Sequence, residues 1–171
     1  MSTALRESPA ALAASASADP LTTGERAAWR GLLHAHASLV KALDGALEVA
    51  HGFPLSSYEA LEALDAAPAG RMRMCELAAR ARLSRSGLTR LVDRLQRAGL
   101  IERADCSSDA RGSFAVLTSE GRAALVAAGP TYAQVVRARL LDHLSEADLA
   151  RLVRLWEHVL APSRDGFDCC P

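Results

Sequence analysis

The segment that most constrains the fold of this chain lies between residues 84 and 99. Serine is a favoured residue at helix N-termini, and Ser84 precedes apolar residues at helical spacing. These residues are Leu88, Leu91, Val92 and Leu95. The spacing i, i+3, i+4, i+7 places them on one face of a helix. Gly99 can end that helix, because glycine adopts the left-handed conformation without strain. We therefore predict an amphipathic helix here.

Two kinds of structure flank this helix in the sequence. A short helix is predicted before it, over residues 74–81. After it come a strand over 100–104, a polar loop over 105–112 and a second strand over 113–117. A short additional strand is predicted over residues 71–73. Two short helices around a tight turn, followed by a β-hairpin, are typical of a winged helix-turn-helix, in which the second helix enters the DNA major groove.

Longer helices are predicted on either side of this centre. Thr23 can cap a helix from Glu25 to about residue 52, with an apolar stripe that includes Trp29, and Ser56 or Ser57 can cap the next. A further helix is expected from Ser119 to about residue 144, kinked at Gly129–Pro130. Ser145 begins a capping box for the last helix. The fold class is therefore mainly α with a small β-hairpin wing.

The distribution of charge favours a nucleic-acid partner. The formal net charge is zero, yet residues 71–103 carry nine arginines against three acids. A basic centre between acidic arms is expected of a protein that binds nucleic acid, although a solvated helix face is the plainer alternative. Aromatic residues are only 4% of the chain, which argues against a stacking surface for single strands.

Other functional classes find little support in the sequence. No apolar run is long enough to span a membrane, and no signal peptide is evident, so we expect a cytoplasmic protein. The four cysteines form no disulfide framework and the five histidines show no zinc-ligand spacing, so neither metal nor cofactor is expected. Motifs for catalysis are missing, and we predict that the chain is not an enzyme.

Candidate DNA contacts lie on the predicted second helix and on the loop. Arg85, Ser86, Thr89 and Arg90 occupy its N-terminal part, where side chains reach base edges. Arginine can bind guanine bidentately. Arg94, further along, is expected to meet phosphates or acids within the protein. At the loop, Arg111 can enter a narrow minor groove, and Asp109 can orient it through a charge-assisted hydrogen bond.

These segments together resemble the MarR family of bacterial transcription regulators. The matching stretches are Leu-Ala at 77–78, Ser-Arg-Ser at 84–86, Thr-Arg-Leu-Val-Asp-Arg-Leu at 89–95, Gly-Leu-Ile-Glu-Arg at 99–103, Asp-Ala-Arg at 109–111 and Leu-Thr-Ser-Glu-Gly at 117–121. The resemblance covers about residues 29–160. It implies a homodimer that binds pseudo-palindromic double-stranded DNA, usually to repress. The family's loop motif often reads Asp-Arg-Arg, and Ala110 departs from it.

The resemblance also assigns roles to segments of the chain. Residues 1–24 are expected to be a disordered tail and residues 25–52 a dimerisation helix. Residues 53–118 would form the winged helix-turn-helix domain. Residues 119–161 would complete the dimerisation domain, and residues 162–171 would be a second tail.

Regulation is expected through a small-molecule effector. Family members are commonly released from DNA by a small, often anionic aromatic ligand. A urate-responsive subset is similar to this chain at Trp29, Glu59, Arg90 and Arg103. One alternative is a thiol switch at Cys75 or Cys106, since arginines nearby can favour a thiolate. Another is a winged-helix module that binds a protein partner.

Overall fold

The computed structural model describes residues 20–105 and 113–161. Six α-helices occur in these ranges: α1 Thr23–His51, α2 Leu55–Asp65, α3 Met74–Arg80, α4 Arg85–Arg97, α5 Ser119–Arg139 and α6 Glu146–Val159. Three strands accompany them: β1 Arg71–Arg73, β2 Ile101–Asp105 and β3 Ser113–Leu117. Two short 3₁₀ turns lie at Pro68–Gly70 and Leu141–His143. The predicted fold class, mainly helical with a small antiparallel sheet, is confirmed.

The chain divides into two compact units, residues 1–36 and 37–171. The first contains the beginning of α1, and all remaining elements belong to the second. Residues 1–19 of the predicted N-terminal tail, the whole predicted C-terminal tail and residues 106–112 of the predicted loop lie outside the described residues.

The N-terminus of α1 is capped one residue earlier than the sequence suggested. The hydroxyl of Thr22, rather than that of Thr23, accepts a hydrogen bond from the backbone N–H of Glu25. The Glu25 carboxylate accepts in return from the Thr22 backbone N–H at 2.7 Å. This reciprocal pair is a capping box, and it needs the Thr-x-x-Glu spacing that Thr22 has and Thr23 lacks.

The start of α2 also differs from the prediction, because neither Ser56 nor Ser57 caps it. The helix begins after Pro54 at Leu55, whose backbone N–H donates to the Asp44 carboxylate at 2.7 Å. Ser57 lies inside the helix and is fully buried. A carboxylate from α1 thus satisfies a helix end that a serine was expected to cap.

The sheet has the strand order β1-β3-β2, and both strand pairs are antiparallel. Met72 pairs with Ala115, and Ala115 pairs with Arg103. Met72 and Ala115 are buried, as is Ile101 at the start of β2. Because side chains alternate along a strand, this buried face leaves the other face of the sheet to solvent.

Helix α4 packs its predicted apolar face into the core. Leu88, Leu91, Val92 and Leu95 are all at most 4% exposed. They join a cluster that includes Leu47, Leu61, Leu64 and Leu77 from three other helices. Gly99 follows α4 with φ of 71°, the left-handed conformation that was predicted for it.

Thr118 caps α5 as expected and packs its first turn closely against the end of α4. The Thr118 hydroxyl accepts from the Gly121 backbone N–H at 2.9 Å and donates to the Gly99 carbonyl at 2.8 Å. Helix α5 continues through Pro130 and ends at Arg139, before the predicted end near residue 144. Leu140 leaves the helical conformation with φ of −138°, and a 3₁₀ turn covers the remainder.

Helix α6 begins at the predicted capping box of Ser145 and Asp148. It has no buried residue; Leu149 and Leu152 are half-buried, and four other apolar side chains are exposed. These exposed side chains are Val153, Leu155, Trp156 and Val159. In the first unit, Trp29, Leu32 and Leu33 on α1 are likewise exposed. Within the described ranges, no helix is both long and apolar enough to cross a membrane.

Candidate nucleic-acid interface

The exposed face of α4 carries the residues that were predicted to contact bases. Ser84 caps the helix by accepting from the Gly87 backbone N–H at 3.1 Å, and its hydroxyl lies 3.2 Å from that of Ser86. Arg85, Ser86, Thr89 and Arg90 are all exposed. Because the opposite face of α4 is buried, these four side chains point away from the protein core.

The polar groups of this face form hydrogen bonds within the helix itself. Thr89 donates to the Arg85 carbonyl at 2.9 Å, and the Nε atom of Arg90 donates to the Ser86 carbonyl at 3.4 Å. Within the described ranges, no carboxylate forms an ion pair with Arg85 or Arg90. Two guanidinium groups are therefore available to a ligand on the solvent side of α4.

Arg94 lies on the flank of α4 and turns toward α2. Its Nη2 atom donates to the buried hydroxyl of Ser57 at 3.2 Å. Both residues line a cavity of about 240 Å³ whose walls also include His51, Phe53 and Leu95. The guanidinium satisfies a buried hydroxyl, a structural role that exists beside the predicted phosphate contact.

The four residues of the predicted ligand site have other surroundings in this structure. Arg103 on β2 donates to the Asp93 carboxylate of α4 at 2.6 Å. Glu59 on α2 lies 3.6 Å from Arg82. No hydrogen bond or ion pair of the described residues joins Glu59, Arg90 and Arg103 to one another. Trp29, on the first unit, is 53% exposed. The ligand site thus stays a prediction.

Two tyrosines that sequence reasoning did not single out join α2 to α5. The rings of Tyr58 and Tyr132 stack at a centroid distance of 4.6 Å with an interplanar angle of 8°. Burial raises the pKa of Tyr58, and the nearby Glu62 carboxylate raises it further. The pKa of Tyr132 is raised for the same reasons. Beside them, His51 lies 2.8 Å from the Thr131 hydroxyl.

Sequence reasoning also missed an aromatic and cationic cluster on the outer face of the sheet. The Cζ atom of Arg71 lies 4.1 Å from the centroid of the Phe114 ring, and that of Arg73 lies 5.3 Å from it. The Arg-Met-Arg alternation of β1 signals a strand with two arginines on one face. Their meeting with Phe114, far along the chain, depends on strand register, which the sequence does not reveal.

Comparison with known proteins decides the family. The MarR family model matches residues 51–112. The chain is 36% identical to Sco3205, a MarR family transcriptional regulator from Streptomyces coelicolor that was solved in complex with DNA. That match covers 88% of this chain and 96% of Sco3205, with a TM-score of 0.80. This chain belongs to the MarR family of transcriptional regulators.

Two further structures are similar to this chain. AbsC, a MarR family transcriptional regulator from Streptomyces coelicolor, is 33% identical over 84% of this chain and 96% of its own, with a TM-score of 0.77. MarR from E. coli is 22% identical over 83% of this chain and 98% of its own, with a TM-score of 0.65, and shares the fold. A search of curated protein sequences gave no significant match.

The remaining predicted residues of this MarR family member are those of the loop and the two candidate redox cysteines. Asp109, Arg111 and Cys106 lie outside the described residues. Cys75 is partly buried in the first turn of α3, where its position fits a packing role as well as a redox role. In the described part of the chain, no group of three or more histidine, cysteine or acidic residues is arranged to hold a metal ion.

Proposed function

We propose that this regulator binds double-stranded DNA by placing the exposed face of α4 in the major groove. This proposal rests mainly on the two faces of α4, one buried and apolar and the other exposed. The exposed face has two arginines that form no ion pair with a carboxylate among the described residues. The DNA complex of Sco3205, 36% identical, supports the same use of the fold.

Individual roles follow from position and chemistry. Arg85 stands at the first turn of α4, where side chains of such a helix meet base edges. Its guanidinium can donate bidentately to guanine, and Thr89 can contact a thymine methyl. Ser86 and Arg90 complete this surface. Arg111, held by Asp109, is proposed to enter the adjacent minor groove.

We further propose that the protein acts as a homodimer on pseudo-palindromic sites. The support is the exposed apolar side chains of α6 and of the beginning of α1. Val153 is 56% exposed and Val159 is 66% exposed on α6, where no residue is buried. Exposed apolar side chains on a helix with no buried residue are suited to an interaction site, and a second copy brings the same side chains to it.

The proposed regulatory outcome is repression, relieved by a small anionic aromatic ligand. Arg90 and Arg103 would supply the positive charge for such a ligand, and Trp29 and Glu59 would complete its site. The Arg103 side chain is 34% exposed beside Asp93. A ligand carboxylate can exchange for that of Asp93 because a partly exposed ion pair contributes little stability. Release from DNA requires that the ligand prefer a conformation that binds DNA weakly.

Binding of a fluorescent duplex, taken from the DNA upstream of the protein's own coding sequence, tests the DNA proposal. The wild type should bind with an affinity that falls steeply as salt is raised, because phosphate neutralisation releases counterions. Arg85→Ala should cost about 1–3 kcal/mol on the preferred sequence. Arg139→Ala, at the exposed end of α5, is the matched control. A protein with no affinity for duplex at moderate salt would refute the proposal.

A further inference from the structure

The outer face of the sheet presents two arginines of β1 on the same side. Arg71 and Arg73 are separated by Met72, which is buried on the opposite face. Register places Phe114 opposite Arg73 and Val116 opposite Arg71. Side chains that are directly opposite in an antiparallel pair share one face. The two guanidinium groups and the aromatic ring therefore form a single surface cluster, called here the β1 arginine cluster.

The Phe114 ring fixes the position of both guanidinium groups. Their Cζ atoms lie 4.1 and 5.3 Å from the ring centroid, within the range of cation–π attraction. Packing against an aromatic ring restricts the rotamers of a long side chain, so less conformational entropy remains to be lost when a ligand binds. The cluster is thus organised for binding before a ligand arrives.

Two acids, Glu76 and Glu102, are close to the cluster in sequence or in strand register. Within the described ranges, Arg71 forms no ion pair with a carboxylate. Glu102 occupies the same face at the far strand, opposite Val116. Glu76 is engaged by the backbone N–H of Arg73 at 3.2 Å. The positive charge of Arg71 therefore attracts an anion to this face of the sheet.

The cluster lies at the base of the wing, next to the elements proposed to contact DNA. Phe114 is the second residue of β3, which begins directly after the loop of residues 106–112. Arg73 immediately precedes α3, the first helix of the helix-turn-helix. Guanidinium groups match the geometry of phosphate oxygens and bind them bidentately. The anion best suited to this location is the phosphodiester backbone of duplex DNA.

We propose that Arg71 and Arg73, positioned by Phe114 on the outer face of the sheet, bind backbone phosphates of duplex DNA beside the groove that the wing enters. This inference rests on the proposed DNA-binding function and adds an interaction that carries no sequence information. Phosphate-binding side chains fix the register of a protein on the duplex and supply affinity for any sequence.

The test compares R71Q/R73Q with wild type on the upstream duplex and on a duplex of scrambled sequence. The double variant should bind both duplexes more weakly by the same factor, so that sequence preference is retained. The slope of log affinity against log salt should become shallower by about 1 for each phosphate that is no longer neutralised, or about 2 in total. R137Q/R139Q removes the same two charges from the exposed last turn of α5, outside this face, and should leave the slope unchanged.

A second variant tests whether the position of the two guanidinium groups matters in addition to their charge. Phe114→Leu retains both arginines but removes the ring that positions them. It should weaken binding to both duplexes, less than the double variant does, while the salt slope stays near that of wild type. Circular dichroism and thermal unfolding establish that each variant is folded before its binding is compared.

The outcomes distinguish this inference from the function on which it rests. If R71Q/R73Q bound DNA with the affinity and the salt slope of the wild type, the proposed phosphate interaction would be wrong. The proposed DNA-binding function would be unaffected. Loss of sequence preference in the double variant would also overturn the phosphate interaction, because the cluster would then read bases. Absence of duplex binding by the wild type would overturn both.

Discussion

Arg103 and Asp93 form a 2.6 Å ion pair between strand β2, which leads into the wing, and the exposed side of helix α4. It joins the helix proposed to enter the major groove to the strand that precedes the loop proposed to enter the minor groove. Their side chains are 34% and 45% exposed, so solvent screens the attraction and its contribution to folding is small.

A double-mutant cycle measures this pair. Asp93→Asn, Arg103→Gln and the combined variant should give a coupling free energy of about 0.2–1 kcal/mol in urea unfolding. The coupling should shrink at high salt. A coupling that is insensitive to salt would show that the two side chains interact through packing instead of charge.

Gly121 has no room for a side chain. A Cβ atom at this position would overlap the carbonyl oxygen of Leu100 and press on the Leu117 side chain. Because a backbone carbonyl cannot move aside as a flexible side chain can, Gly121→Ala should lower the free energy of unfolding by about 1–3 kcal/mol. Chemical denaturation with circular dichroism provides the measurement.

Gly129 in the same helix is the matched control. A Cβ atom there would meet nothing within 4 Å, so Gly129→Ala should leave stability unchanged or raise it by up to about 1 kcal/mol. Equal destabilisation by the two substitutions would contradict the packing of α5 against Leu100.

The stacked tyrosines predict a property of the alkaline titration. The chain has two tyrosines in all, so phenolate absorbance reports on Tyr58 and Tyr132 together. Burial and nearby Glu62 raise the pKa of both, so both should ionise at higher pH in the native protein than in urea. The shifted pKa values contribute stability fully below about pH 10, the ordinary tyrosine pKa. That stability should be lost as pH rises through the higher native values.

Tyr58→Phe should halve the absorbance change and leave the remaining group above its ordinary pKa, since Tyr132 stays partly buried. Native and urea-unfolded titration curves that coincide would refute the buried stack.

If α6 forms part of the proposed homodimer interface, a charge introduced among its exposed apolar side chains should weaken dimerisation. Val153→Glu places a carboxylate on the exposed apolar side chains and should shift the protein toward monomer in analytical ultracentrifugation. Arg154→Glu, on the neighbouring exposed position, should leave the oligomeric state unchanged. A wild type that sediments as a monomer would exclude the dimer outright, and equal effects of both substitutions would exclude this face.

Local signals in the sequence predicted much of the fold. Ser84, Thr118 and Ser145 cap the helices expected of them, and the four apolar residues of α4 are buried as their spacing required. These features depend on residues within one or two turns of each other, so the sequence contains the whole pattern. The exposure of Arg85 and Arg90 followed from the same periodicity.

Features that depend on distant residues were not predictable in this way. Ser57 is suited to a helix cap, yet Asp44 and Pro54 set the start of α2, and Arg94 engages its hydroxyl from 37 positions away. The pairing of Phe114 with two arginines required the register of β1 on β3. The end of α5 at Arg139 has no proline or glycine to mark it, and so the predicted end was too late.

The hydroxyl of Thr118 links the C-terminal end of α4 to the N-terminal end of α5. It is bonded both to the carbonyl of Gly99, just beyond the end of α4, and to the first turn of α5. With 13 residues at about 1.5 Å each, α4 extends about 20 Å from that pivot to Arg85. A tilt of about ten degrees at the pivot would therefore move Arg85 by about 3.5 Å, more than the length of a hydrogen bond. A rotation of α5 that carried Gly99 with it would displace the opposite end of α4, where bases would be read, further than it displaced Gly99.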